Sequence, residues 1–268
     1  MITLYNFAQS TCSQKVRICL HEKKLRWKDE LLLSGEQRHL EDWYLKLNPN
    51  GVVPTIIDGN EKPIFESSAI MEYLEDTYNL KPLRPNTNNE RAQMRAWTVF
   101  VDHLTTPAVR YPSFQFGGLL EKFQNMTQEK FDIQINKRPL KSEFYRQMDK
   151  DSGFPESVIR QSLLDIKKSV KRLNNMVESS GGPWLMGRQF TLADIAIGPL
   201  LDRIEDLGLN FIWTTDFPKT QNWLSQFQSR PSVIKTFYPG SRLSEMFPSM
   251  KIGKGSGKHL EEQFDLND

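Results

Sequence analysis

ITLYNF, residues 2–7, alternates Ile2, Leu4 and Asn6 with Thr3, Tyr5 and Phe7, the period of two that marks a half-buried strand. After the loop AQSTCSQ, the stretch KVRICLHEKKL sets Val16, Ile18, Cys19 and Leu20 on one apolar helical stripe. WKDELLL, residues 27–33, predicts a second strand and HLEDWYLKLN a short amphipathic helix. VPTIID and PIFESS read as two strands around the turn Asp58-Gly59. SSAIMEYLEDTY then restarts a helix, with Ser67 as its N-cap. The predicted order is β-α-β-α-β-β-α over residues 1–80, the size of a small α/β domain.

Beyond it the strand period disappears. KPLRPNTNNE, residues 81–90, is polar with two prolines and reads as a linker. RAQMRAWTVFVDHL predicts a helix. VIRQSLLDIKKSVKRLNNMV places Ile159, Leu163, Ile166, Val170, Leu173 and Val177 at steps of four and three, a continuous apolar face. TLADIAIGPLLDRIEDLG is apolar nearly all round, which predicts a buried central helix, and KTQNWLSQFQSRPSVIKTF supplies at least two shorter ones. From about Met250 the composition turns to Gly, Lys and acids, so a flexible tail, disordered or loosely docked, is expected over residues 249–268.

The 268 residues are enough for two domains. Thirty-five basic and 33 acidic residues leave a net charge of +2, a field too weak to predict nucleic acid or an anionic membrane as partner. No stretch approaches eighteen consecutive apolar residues, and the N-terminus shows neither a basic leader nor an apolar core. The two cysteines, Cys12 and Cys19, are badly placed to pair with each other. The expectation is a cytoplasmic chain in a reducing compartment. His and carboxylate spacings suited to a metal are absent, so no metal is expected.

Four stretches carry candidate chemistry. In NPNGVVPTI, residues 48–56, Pro54 either begins a strand as an ordinary trans proline or follows Val53 through a cis bond that presents the Val53 backbone to a peptide ligand. In ESSAI, Ser67 at a helix start could hold a carboxylate while Glu66 accepts an ammonium group; any capped helix after an acid looks similar. In QSTCSQ, Ser10, Cys12 and Ser13 sit where hydroxyls and a helix dipole can stabilise a thiolate; alternatively Ser10 or Ser13 is only an N-cap and Cys12 a small core residue. RYPSFQFGG, with Trp97 and Phe100 before it, offers Tyr111, Phe114 and Phe116 as lining for an apolar pocket, or simply as core. FTLADIAI resembles a capping box in which Asp194 satisfies the start of the buried helix.

Taken together, STCSQKVRICL, NPNGVVPTI, ESSAIMEYLE and FTLADIAIGP resemble, in order and spacing, the cytosolic glutathione transferase superfamily over residues 1–248. That resemblance implies a thioredoxin-like α/β domain (1–80) binding glutathione as cosubstrate, a linker (81–88) and an all-α helical-bundle domain (89–248) holding the second substrate. It also implies a homodimer. It carries over Val53, before a cis Pro54, as the backbone partner of the cysteinyl part of glutathione, Glu66 and Ser67 as the pair at its γ-glutamyl end, and His39 as the position that reaches the glycine carboxylate in theta-like members. Asp194 would be the N-capping acid required for folding. For thiol activation the classes differ: the zeta-like pattern points to Ser10, beta-class enzymes place a cysteine at Cys12, and bacterial lignin β-etherases place a serine at Ser13. RAQMRAWTVFVDH, MTQEKFDIQINKRPL and SGFPESVIRQSLLDIKKSVKRL resemble the β-etherase branch, including a long insertion after the first helix of the second domain. The implied activity is attack of the glutathione thiolate on a bulky, hydrophobic or aromatic electrophile, including β-aryl ether cleavage. The alternatives are a maleylacetoacetate-type isomerase and a non-catalytic binding module of the same fold.

Overall fold

A computed structural model describes residues 1–33, 35–264 and 266. Strands β1 (Ile2–Asn6), β2 (Trp27–Leu31), β3 (Thr55–Asp58) and β4 (Ile64–Phe65) form one sheet in the order β2-β1-β3-β4. β1 and β2 run parallel, with Leu4 opposite Asp29; β1–β3 and β3–β4 are antiparallel, with Leu4 opposite Ile56 and Ile56 opposite Ile64. The parallel pair requires a crossover, supplied by α1 (Thr11–Glu22). Between β2 and β3 lie a 3-10 turn (Arg38–Leu40) and α2 (Asp42–Leu45), and α3 (Ser67–Thr77) follows β4. This is the α/β layout that the alternation of Ile2, Leu4 and Asn6 predicts, and all three are buried.

The second part is entirely helical among the described residues: α4 (Asn88–Phe100), α5 (Thr106–Gln115), α6 (Glu121–Gln124), α7 (Gln128–Asn136), α8 (Ser142–Arg146), α9 (Glu156–Ser180), α10 (Leu192–Asp206), α11 (Phe211–Thr214), α12 (Pro218–Gln228), α13 (Pro231–Thr236), α14 (Leu243–Met246) and α15 (Lys258–Gln263). A π-helical turn, Val101–Thr105, joins α4 to α5. The wider turn lies just before Pro107, which has no N–H to give back to the preceding turn and whose ring would crowd it. Every member of the apolar stripe on α9, Ile159 to Val177, is buried, and α10 is buried along its whole length. Thr87 and Glu90 close a capping box at α4, and Thr191 and Asp194 close another at α10. The linker is pinned rather than loose: Leu83 N–H donates to Glu75, and Leu83 C=O accepts from Leu192 N–H.

The expected stripe Val16, Ile18, Cys19 and Leu20 is buried, and α1 also packs against α3, α10 and α13, which cover its remaining faces. Its polar residues are therefore buried and must be paired. Arg17 bonds Asn6 Oδ1 at 2.6 Å, Lys23 pairs with Glu75 at 2.7 Å, and Lys15 meets Asp102 at 3.4 Å. Ser67 is not the N-cap of α3. That position is Glu66, at φ +68°, and Ser67 is the first helical residue. Finally, the tail is docked: α15 and the residues after it bury Leu260, Phe264 and Leu266, and Lys167 Nζ donates to Leu266 C=O at 2.9 Å. Small spacing lets it in, since Gly208 packs directly on the backbone of Gly253 and Gly257.

Candidate functional site

A cavity of about 480 Å³ opens where the start of α1 faces the second domain. Its first-domain wall is Phe7, Gln9, Ser10, Thr11 and Cys12, with His39 and the segment Asn50–Val53. The second domain contributes Thr106, Val109, Arg110, Ser113 and Phe114 from α5, Leu119, Lys122, Arg138, Lys141 and Tyr145 from the insertion between α5 and α9, and Arg203, Met246 and Phe247. The α5 residues recur at three and four, one face of a helix turned to the cavity.

Ser10 is the N-cap of α1: its Oγ accepts the Ser13 N–H at 3.2 Å. That bond uses an oxygen lone pair and leaves the hydroxyl proton to donate elsewhere. Cys12, partly accessible and unbonded to Cys19, shares the cavity wall with Ser10. Ser13 does not belong with them. It is fully buried within α1, away from the cavity lining, and its Oγ has no partner. The physical reason is helical phase: with Ser10 at the cap and Thr11 and Cys12 facing the cavity, Ser13 turns inward. Cys19 is buried in the core, where desolvation pushes its thiol far up, so it stays protonated.

The Val53-Pro54 bond is cis, so of the two conformations open from sequence this is the one adopted. Val53 lines the cavity, and its backbone N–H and C=O have no partner among the described residues. Tyr44 and Asn48 hold the turn in place by donating to Val52 C=O at 2.7 and 2.8 Å. Gly51, at φ +58°, passes so close to Leu40, Leu45 and Pro139 that a Cβ would stand 3.0–3.2 Å from their side chains. Pro54 is buried behind Val53, and Glu66 is exposed, with Oε1 accepting from Asn50 Nδ2 at 3.1 Å. Asn50 in turn lines the cavity, so Glu66 is tied to its rim. Ser67 is buried at the start of α3.

His39 reaches the cavity but is buried and neutral. Its ring packs edge-on against Phe7 at 5.0 Å, and Arg138 Nη1 lies 3.4 Å from its Nε2. Burial, reinforced by the charges of Arg138, Lys122 and Lys141, pushes its pKa down to about 3. Near neutral pH this imidazole is held neutral, beside the cations Arg138 and Lys141.

Of the five aromatic side chains expected in the pocket, only Phe114 lines it. Trp97 is fully buried, its indole N–H bonded to Ala193 C=O at 3.0 Å. Phe100 stacks on Trp97 and beneath the Arg172 guanidinium. Tyr111 packs on Phe144 and Phe154 with its hydroxyl on Gln147, and Phe116 packs against Phe264. None of the four lines the cavity: Trp97, Phe100 and Tyr111 lie on helix faces turned from it, and Phe116 follows the end of α5. What sequence reasoning missed was phase: 106, 109, 110, 113 and 114 share a face, and that signal was available in the spacing. The insertion residues Lys122, Arg138, Lys141 and Tyr145 carried no comparable local signal. Among the described residues, no three of His, Cys, Asp and Glu converge as metal ligands, and no helix is long and apolar enough to cross a membrane.

Comparison with known proteins gives a consistent answer. Residues 9–77 match the glutathione S-transferase N-terminal domain family model, and residues 138–231 match the C-terminal domain model, together more than half of the chain. Protein LigF of Sphingobium sp. is 29% identical over 248 residues, covering 90% of this chain and 95% of LigF. The crystal structure of that protein, described as a beta-etherase, superposes with a TM-score of 0.79 at 28% identity over 88% of this chain and 98% of LigF. Glutathione S-transferase GstB of Escherichia coli is 29% identical over 88% of this chain and 97% of its own. Maleylacetoacetate isomerase of Dictyostelium discoideum matches at 43%, over 34% of this chain and 42% of its own.

Proposed function

The chain belongs to the glutathione S-transferase family, and we propose that within it the protein directs the glutathione thiolate at an electrophilic carbon of a bulky aromatic compound, β-aryl ethers being the favoured class. The observation that carries this reading is the single cavity in which Ser10, Cys12 and the unpaired Val53 backbone face Phe114, Val109 and Tyr145 of the second domain. A peptide-like thiol bound along Val53 lays its sulfur beside the start of α1, where the Ser10 hydroxyl and the helix dipole favour the anion. Holding the sulfur against a carbon on the apolar wall supplies the proximity contribution to the rate. In the ether reaction the thiolate forms a C–S bond at the β-carbon while the C–O bond breaks. The aryloxide leaves and takes up a proton.

Ser10 is the favoured activating hydroxyl, because its proton is free to donate and Ser13 lies outside the cavity. Similarity to LigF over nearly the whole of both chains supports the ether class above isomerisation, for which the similarity spans about a third of this chain. The test is incubation with glutathione and a β-aryl ether ketone, with mass spectrometry for the glutathione thioether and the released phenol. Binding to immobilised glutathione without adduct from any aryl ether removes the ether class; failure to bind glutathione by a folded protein removes the enzymatic reading altogether and leaves the binding module. Size-exclusion chromatography tests the homodimer.

A further inference from the structure

The second-domain wall of the cavity combines an aromatic surface with positive charge that no carboxylate among the described residues neutralises. Phe114, Phe123, Phe144 and Tyr145 touch one another, with centroid separations of 5.1–6.3 Å. Three cations sit on this cluster. Lys122 Nζ stands 4.7 Å from the Phe123 centroid and 5.5 Å from that of Phe114. The Arg138 guanidinium lies 4.3 Å over Tyr145, and that of Arg110 lies 5.3 Å over Phe144. All three line the cavity.

Ring faces attract cations but bring no net charge, so these contacts leave the cluster electrically unbalanced. None of the three has a carboxylate within 4 Å among the described residues. Arg138 is nine-tenths buried, and its Nε has no hydrogen-bond partner. Burial, then the charges of Arg110 and Arg138, push the neighbouring Lys141 down to about 8. Of the three, Arg138 is buried, Arg110 half-buried and Lys122 exposed; a buried guanidinium without a counter-ion is costly, and a ligand anion offsets that cost.

Two anions could sit here: the glycine carboxylate of glutathione, or a group on the electrophile. Arg138, 3.4 Å from His39 Nε2, borders the side where the resemblance puts the glycine carboxylate. Lys122 and Arg110 instead sit on the rings of Phe114, Phe123 and Phe144, the surface against which an aromatic electrophile would stack. Resting on the glutathione reading above, we propose that Lys122 and Arg110, backed by Arg138, form an anion subsite, and that the second substrate is an aromatic compound bearing a carboxylate.

Two stable conjugates that differ only in this group provide the test: S-benzylglutathione and S-(4-carboxybenzyl)glutathione, each titrated by calorimetry beside glutathione itself. The full chain should bind the carboxybenzyl conjugate about ten times more tightly than the benzyl one, the scale of one charge-assisted hydrogen bond. Lys122→Gln and Arg110→Gln should each bring that ratio down by at least roughly threefold, with a native circular-dichroism spectrum. Equal binding of the two conjugates by the unaltered chain overturns the proposal. So does a loss in Lys122→Gln that is the same for both conjugates and for glutathione, because the cluster would then serve glutathione's own carboxylate. Failure of all three ligands to bind overturns the glutathione reading and this proposal with it, whereas binding of all three without preference overturns this one alone.

Discussion

Removal of the Asp194 carboxylate tests how the second domain is held together. Asp194 is fully buried in the first turn of α10. Its Oδ1 accepts from Leu185 N–H at 3.0 Å and from the Trp223 indole at 2.9 Å, and its Oδ2 accepts from Thr191 N–H at 3.0 Å. One side chain thus ties the loop before α10, the α10 cap and α12. Asp194→Ala strands three buried donors, each at a cost of about 1–3 kcal/mol, so the sum after local relaxation is about 3–6 kcal/mol. That is a large part of a typical total stability of about 5–15 kcal/mol. Asp194→Asn keeps an acceptor for Leu185 and Trp223 but turns an amide NH₂ toward Thr191 N–H, a single lost bond costing about 1–3 kcal/mol. Urea unfolding followed by tryptophan fluorescence measures both, since one reporter indole is a member of the network. The order of stability should be wild type, then Asn, then Ala. A loss in the Ala variant below about 1 kcal/mol, or equal losses in Asn and Ala, would refute the network argument; if the Ala variant does not accumulate folded, Asn still gives the single-bond cost.

Ser10→Ala should lose about 1 kcal/mol in urea unfolding through the α1 cap and, in thiol-titration difference spectra, raise the pKa of bound glutathione, whereas Ser13→Ala should leave that pKa unmoved. Phe114→Ala should raise KM for an aromatic electrophile, while Trp97→Ala should instead cost about 3–5 kcal/mol of stability with KM for folded enzyme unchanged. Burial holds His39 at a pKa of about 3 against an ordinary 6.5, so the unfolded chain takes up a proton that the folded chain refuses. Its contribution to stability therefore falls as pH drops from about 6.5 toward 3, so the wild-type minus His39→Gln difference in urea midpoint should fall as pH is lowered across that window.

Much of the architecture was legible in the chain because it is written in local periods. The alternation of Ile2, Leu4 and Asn6, the stripe from Ile159 to Val177 and the Thr191–Asp194 box each depend on neighbours within one element, and each appears where the pattern puts it. Motif order was equally local, and it was enough to reach the family and the segments around Ser10, Val53 and Glu66. Other features depend on partners distant in sequence. Lys15, Arg17 and Lys23 look like the solvent face of α1 until α10, α13 and Asp102 cover them. Met250 onward has the composition of a free tail, yet Phe264 finds Phe116 and Leu266 finds Lys167.

The cavity divides in the same way. The segments of the first-domain wall were legible in sequence, because a cap, a proline turn and a helix start are short-range features marked by a few adjacent residues, though the cis bond at Pro54 and the cap at Glu66 were not. Packing between distant segments set the rest: Ser13 turns away, Trp97 and Tyr111 pack in the core while Val109 and Phe114 line the cavity, and Arg110, Lys122, Arg138 and Lys141 meet on its second-domain wall. Convergence of charges from α5, α6 and the α7–α8 connection is a long-range property: no period marks it, and it exists only once helices α5 to α8 have packed against one another.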